Sequence, residues 1–330
     1  MRVTRDVAVT GANGFVGRVV CERLAACGWN VRAVVRTEMT PLPAGAQRMV
    51  VPDLLDVDAL ARAFEQTSAV VHLAARVHVM RDAESDPLAI YRRVNVDVTR
   101  AVMQAATRAS IRRFVYLSTV KVMGEGNDVP WTENDKPQPV DPYGVSKREA
   151  EELVLRREGD ALLEPVVLRA PLVYGPGVRA NMLRLFELVD HGMPLPFGGI
   201  RNRRSLVYIG NLAAAVEAVL ESAAAPNEVF FVSDGVDVST PDLVRAIAVA
   251  LSRPSRLLAV PDMAFHVAGT AGDFVSRFLP FPVTSSATLR LVGSLRVSSA
   301  KLRELVGFVP PYSLQEGLSE TARWYRARRW

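Results

Sequence analysis

Apolar runs of strand length alternate with helix-period patterns through the first half of the chain. Strand-type runs lie at Asp6–Thr10, Asn30–Arg36, Gln47–Val51, Ala69–Ala74, Arg113–Ser118 and Glu164–Arg169. Between them, apolar positions recur at helical spacing over Phe15–Ala26, Val57–Gln66, Ala89–Ala109 and Tyr143–Glu158. Strand and helix in alternation predict right-handed crossovers and a parallel, doubly wound sheet. Parallel strands buried on both faces read as continuous apolar runs, and Val70-Val71-His72-Leu73-Ala74-Ala75 is close to one.

After Tyr174 the pattern changes. Gly175-Pro-Gly-Val, the stretch from Gly192 to Gly199 and the basic cluster Arg201-Asn-Arg-Arg204 read as loops with short elements. Leu212–Ser222 is again helical, and Glu228–Ser233 is a strand expected to rejoin the sheet. From Asp237 onward the pattern predicts helices and short strands of a second lobe. The expectation is an α/β fold: residues 1–176 form the sheet domain, which 206–235 rejoin, and 177–205 with 236–330 form a smaller C-terminal α/β lobe.

Thr10 ends the first strand, and the turn Gly11-Ala-Asn13-Gly14-Phe15-Val16-Gly17 opens the first helix. Glycine admits positive φ and close backbone approach. A helix start directs free N–H groups and a positive dipole end at the turn, which suits a pyrophosphate. The spacing G-x-x-G-x-x-G is one residue looser than the commonest dinucleotide fingerprint. Flanked by strand and helix, it predicts dinucleotide binding.

Composition fits a folded chain with a large core: 330 residues, 49% hydrophobic and 23% charged. No run of about 18 apolar residues occurs, so no membrane span is expected. The first strand begins too early to leave room for a signal peptide. The two cysteines, Cys21 and Cys27, both fall on the first helix, and a reduced, cytoplasmic protein is expected. The histidines, His72, His78, His191 and His266, lack metal-type spacing. Net charge is +5, with basic residues gathered at Arg201–Arg204 and in the C-terminal tail. Without aromatic interleaving this favours a phosphate-bearing small ligand over nucleic acid.

The second strand ends Val34-Val35-Arg36, with no carboxylate to accept from a ribose 2′-hydroxyl. An arginine there can hold a 2′-phosphate, so NADP(H) is favoured over NAD(H). The alternative is that Arg36 stacks on adenine or faces solvent. Asp53-Leu54 after the third strand can meet the adenine edge, or Asp53 can serve as a turn residue.

Tyr143-Gly-Val-Ser-Lys147 carries the sharpest chemistry. Residues at i and i+4 share a helix face. An ammonium beside a phenol favours phenolate and lowers its pKa from about 10. Such a tyrosine can take a proton from a sugar hydroxyl or give one to a ketone. Ser118-Thr119 ends the fifth strand, where a hydroxyl can hold the substrate oxygen.

With these motifs in order, the chain resembles the extended short-chain dehydrogenase/reductases of the NAD-dependent epimerase/dehydratase family, near the UDP-glucose 4-epimerase type. Thr10–Gly17, His72-Leu-Ala-Ala75, Asn95-Val-Asp, Tyr116-Leu-Ser-Thr119, Tyr143-xxx-Lys147, Leu168–Pro176 and the tail from Tyr312 carry the likeness. It implies a Rossmann-type dinucleotide domain and hydride exchange with a nucleotide-linked sugar. Thr119 would be the catalytic hydroxyl, Tyr143 the acid/base, and Lys147 the residue orienting the cofactor ribose. Gly11, Asn13, Gly14, Phe15, Val16, Gly17, Leu73, Ala74, Ala75, Asn95, Ser118, Ala170 and Pro171 would face the dinucleotide. Asn181, Leu195, Phe197 and Arg204 stand where the family holds the sugar nucleotide. A guanidinium at Arg204 suits a diphosphate by forked pairing, against the alternative of a solvated charge. Trp131 reads as a packed loop aromatic. A homodimer through the helices near Ala89–Ala109 and Tyr143–Glu158 is implied.

The chain departs from the family pattern at three places. Val120-Lys121 replace the Asp-Glu pair of 4,6-dehydratases, which argues against dehydration and leaves Lys121 as a substrate contact. Leu172 stands where many members have Asn. The late Arg-x-Gly-Asp is absent, with Arg290 as its stand-in. The expected activity is redox chemistry at C4 of a UDP-hexose or UDP-hexosamine. Arg36 and the stretch Leu168–Asn211, which resembles reductases of lipopolysaccharide O-antigen and other surface-polysaccharide pathways, favour 4-ketoreduction of a UDP-4-keto-6-deoxy-N-acetylhexosamine. The alternative is a UDP-sugar 4-epimerase with tightly bound NAD. A distant alternative is a non-catalytic NADP-binding regulator.

Overall fold

The structure, a computed structural model, describes residues 5–77, 86–157, 162–261, 263–265 and 292–328. It begins β1 (Asp6–Thr10), α1 (Phe15–Ala26), β2 (Asn30–Val35), β3 (Ala46–Val50), α2 (Val57–Phe64) and β4 (Ala69–His72). Next come α3 (Pro87–Arg92), a π-helical turn (Arg93–Asp97), α4 (Val98–Arg108), β5 (Arg113–Thr119), a short 3-10 turn (Val120–Val122) and α5 (Pro142–Arg156). The second half holds β6 (Glu164–Ala170), β7 (Leu172–Tyr174), α6 (Ala180–Asp190), β8 (Arg204–Tyr208), α7 (Ile209–Glu221), β9 (Glu228–Phe231), β10 (Asp237–Val238) and α8 (Thr240–Ala250). Two further helices follow, α9 (Ala300–Val306) and α10 (Leu314–Ala327).

Seven strands form one sheet in the order β3-β2-β1-β4-β5-β6-β9, with every neighbouring pair parallel. The reversal of winding beside β1 is the crevice where open α/β sheets take ligands. A three-stranded mixed sheet, β10-β8-β7, builds the smaller lobe. The stretch expected to rejoin the main sheet therefore divides. Glu228–Phe231 pairs with β6, whereas Leu206, Val207 and Tyr208 pair with β7, and Arg204 and Ser205 with β10.

Local chemistry explains several helix starts. Asp56, Asp86 and Asp141 cap α2, α3 and α5 by accepting from backbone N–H groups three residues on. Pro87 and Pro142 stand in the first turns, where a missing N–H removes nothing. Ser313 and Glu316 close a reciprocal capping box on α10. The expected continuous helix Ala89–Ala109 is instead interrupted by the π turn at Arg93–Asp97.

The sheet is buried on both faces. Val7, Val9, Val71 and Leu168 pack with α1 and α7 on one side. Val70, Phe114, Tyr116 and Val167 pack with α2, α4 and α5 on the other. Burying one such side chain contributes about 1.5–3 kcal/mol, against about 0–1 for an exposed ion pair. The core, rather than surface pairs such as Arg92–Glu149, therefore holds the fold.

A polar network joins the two lobes. Tyr174 Oη donates to Asp234 Oδ2 at 2.9 Å, while Asp234 Oδ1 accepts from Tyr208 N at 2.8 Å and Asn211 Nδ2 at 2.7 Å. Asn211 Oδ1 accepts from Tyr312 N at 2.9 Å, which ties in the C-terminal segment. Among the described residues no helix is long and apolar enough to cross a membrane.

Candidate active site

The C-terminal ends of β1, β4, β5 and β6 open on one edge of the sheet, and the singled-out residues gather there. Gly11 sits at φ +70°, and a Cβ on it would lie 2.7 Å from Ala74 N. A Cβ on Gly17 would lie 2.1 Å from Gly11 O, so only glycine lets α1 approach its turn. Gly14 N donates to Gly11 O at 2.9 Å, and no side chain caps the first turn of α1. Asn13 is exposed, with Phe15 and Val16 behind it. A helix start left uncapped beside a glycine cradle fits a dinucleotide pyrophosphate.

The next strand ends are wired together. Thr99 Oγ1 donates to Asn95 O at 2.6 Å, so it accepts from His72 Nε2 at 3.0 Å. His72 Nδ1 then accepts from Thr10 Oγ1 at 2.6 Å, which fixes the tautomer. Burial, and after it the Lys147 charge, takes His72 down to about 3 and keeps it neutral. Asn95, buried in the π turn, accepts from Arg76 N at 2.8 Å and donates to Arg76 O at 3.1 Å. It also donates to Ser146 Oγ at 3.0 Å. Asn95 thus braces the Leu73-Ala74-Ala75 segment against α5.

Beside these lies the hydroxyl cluster. Ser118 Oγ is buried without a hydrogen-bond partner among the described residues. An unsatisfied hydroxyl costs about 1–3 kcal/mol, so a polar ligand group is the fitting complement. Thr119 stands at the end of β5, and its hydroxyl favours the ionised form of the Tyr143 phenol. Tyr143 keeps an exposed edge and meets the Tyr91 ring at 6.0 Å between centroids. Gly144 follows it of necessity, because a Cβ there would lie 2.6 Å from Lys121 O. Ala170 and Pro171 are buried at the end of β6.

Lys147 departs from expectation. Its Nζ donates to Leu117 O at 2.7 Å and lies 4.0 Å over the Tyr116 ring. Burial lowers the ammonium to about 7, partly offset by the Glu151 carboxylate. Turned away and partly discharged, it does not draw the phenol down. Burial instead pushes Tyr143 up to about 12, with the Thr119 hydroxyl acting the other way. One turn further along α5, Glu151 pairs with Arg169 through Nε at 3.0 Å and Nη2 at 2.8 Å. The motif reading missed both residues. The helical spacing of Tyr143, Lys147 and Glu151 was the available signal.

The remaining expected contacts lie further out. Arg36 is exposed at the end of β2. Asp53 Oδ1 accepts from Leu55 N at 2.9 Å, so it forms a turn, and Leu54 packs on the core. Asn181 is exposed near the start of α6. Leu195 is buried and bridges Leu257, and Phe197 stacks near Phe265 at 6.4 Å. Arg204 heads β8 and donates to Gly293 O at 3.0 Å, with burial holding its guanidinium below the usual range. Lys121 Nζ pairs with Glu125 at 2.6 Å and Asp141 at 3.4 Å. Arg290 lies outside the described residues.

Comparison with known proteins agrees with this geometry. The chain is 37% identical to a UDP-glucose 4-epimerase of Vibrio cholerae over 326 residues, covering 98% of this chain and 96% of that protein. The structure of MoeE5 in complex with UDP-glucuronic acid and NAD matches with a TM-score of 0.76 at 27% identity, covering 98% and 99% of the two chains. A UDP-glucose 4-epimerase of Thermus thermophilus in complex with NAD matches with a TM-score of 0.73 at 25% identity, covering 97% and 99%. The profile of the NAD dependent epimerase/dehydratase family matches residues 7–233, and the chain belongs to that family.

Proposed function

We propose that this protein is a UDP-sugar 4-epimerase that keeps NAD bound through its catalytic cycle. The observation that carries the reading is the grouping of Thr119 at the end of β5 and Tyr143 at the start of α5 with the orphaned Ser118 hydroxyl. Full-length likeness to a UDP-glucose 4-epimerase favours epimerisation over the ketoreduction that Arg36 and the Leu168–Asn211 stretch suggested. The NAD in the related complexes likewise favours NAD over NADP. Arg36 is exposed and is compatible with an adenine stacking role.

The residues divide the work as follows. Gly11, Gly14, Gly17 and the start of α1 bind the pyrophosphate. When bound, NAD supplies the ring that accepts a hydride and returns it. As phenolate, the form that a cationic nicotinamide ring beside it would favour, Tyr143 would take the proton of the sugar C4 hydroxyl as the C4 hydrogen departs, and would give it back on the return. Thr119 hydrogen bonds the same oxygen. Lys147, fixed by Leu117 O, presents its remaining N–H groups to the cofactor ribose.

The test is proton NMR of UDP-glucose and UDP-N-acetylglucosamine with purified protein, together with extraction of bound nucleotide. Retained NAD and appearance of the C4 epimer without added cofactor are expected. Stoichiometric NADPH oxidation with a UDP-4-keto sugar, and no epimer, would establish the reductase instead.

A further inference from the structure

Asp141 occupies an unusual place for a helix cap. Its Oδ1 accepts from Gly144 N at 2.6 Å, which starts α5 two residues before its phenol-bearing turn. Its Oδ2 is buried and accepts no hydrogen bond among the described residues. The ammonium of Lys121 lies 3.4 Å from that oxygen. Lys121 is itself anchored beside the strand end: its N–H donates to Thr119 Oγ1 at 3.3 Å, and Glu125 holds its Nζ at 2.6 Å. The two side chains are only 22% and 14% exposed, so water screens the pair weakly.

We propose that Lys121 is a positioning residue for Tyr143: it neutralises the Asp141 cap, so the helix start does not present a bare carboxylate to the phenol. This rests on the reading of Tyr143 as the acid/base. It gives Lys121 a task other than the substrate contact expected from sequence. The groups acting on the phenol are Thr119 from β5, Asp141 from the cap and Tyr91 from α3, while Lys147 of its own helix is directed at Leu117 O and the Tyr116 ring. Tyr91 in turn carries the Arg76 guanidinium 5.7 Å over its ring. Burial pushes the phenol up first, and the Asp141 charge and Tyr91 add to it. Lys147 is spent on Leu117 and Tyr116. The only cation that meets the Asp141 carboxylate among the described residues is Lys121. A capping Asp is thereby used for its hydrogen bond while its charge is cancelled.

The test is carbon-13 NMR of the ring ζ carbons in NAD-loaded protein with labelled tyrosine, titrated with alkali. The Tyr143 signal is assigned by its loss in Tyr143→Phe. Lys121→Met is expected to move the Tyr143 midpoint up by about one pH unit. Lys121→Arg should restore the parent value. Asp141→Asn keeps the cap and should move the midpoint down, and Lys121→Met should then have little further effect. An unmoved midpoint in Lys121→Met overturns the proposal. So does a shift that persists undiminished in the Asp141→Asn background, which would mean a direct action on the phenol. The readout needs no turnover, so absence of epimerase activity is a separate result.

Discussion

Replacing Tyr143 by Phe is expected to lower turnover by about 10²–10⁴-fold, the usual contribution of a positioned acid/base group. Dinucleotide affinity should stay at the parent value. The substitution removes one oxygen and keeps the ring, so the contact with Tyr91 and the packing of α5 persist. Lys147 is held by Leu117 O and the Tyr116 face, neither of which involves the phenol. A progress curve with the UDP-sugar substrate and a fluorescence titration with NAD measure the two quantities separately. Turnover within tenfold of the parent would remove Tyr143 from the acid/base role.

Glu151→Gln is expected to cost about 3–5 kcal/mol of folding stability, because it leaves a buried guanidinium without its counter-charge. The Arg169 and Glu151 side chains are 4% and 0% exposed, and both carboxylate oxygens are engaged by Arg169. Arg169 also lies 5.6 Å from the Phe231 ring centroid, which joins β6 to β9. Replacing the pair together, as Glu151→Met with Arg169→Leu, should recover most of the loss, since apolar residues of similar volume often match a buried ion pair. Urea unfolding of the parent and the two variants measures this. A Glu151→Gln variant within about 1 kcal/mol of the parent would show that solvent reaches the pair.

The main sheet was legible because its signals are local. Asp6–Thr10 and Phe15–Ala26 are bounded by polar residues and glycines that the backbone requires, and both elements have the expected limits. The π turn was not legible, since Arg93–Asp97 continues a helical apolar pattern and departs from it only in backbone hydrogen bonding. The partner of β8 was equally hidden. Leu206–Tyr208 reads as a buried strand in either sheet, and only its pairing with β7 decides. At the site, Thr119, Tyr143 and Lys147 stood out by residue type and spacing. The electrostatics around them did not, because they depend on where side chains turn. Lys147 faces a carbonyl and a ring instead of the phenol, and Asp141 is visible only as a capping residue before Pro142.

The central claim is that the C4 hydrogen leaves and returns as hydride within one bound complex while Tyr143 moves the hydroxyl proton. A UDP-hexose deuterated at C4 tests it directly, with product isotope content read by mass spectrometry after epimerisation in ordinary water. Full retention of deuterium at C4 is the predicted result. Exchange of that deuterium for solvent hydrogen would contradict it, since a proton abstracted from C4 would equilibrate with water.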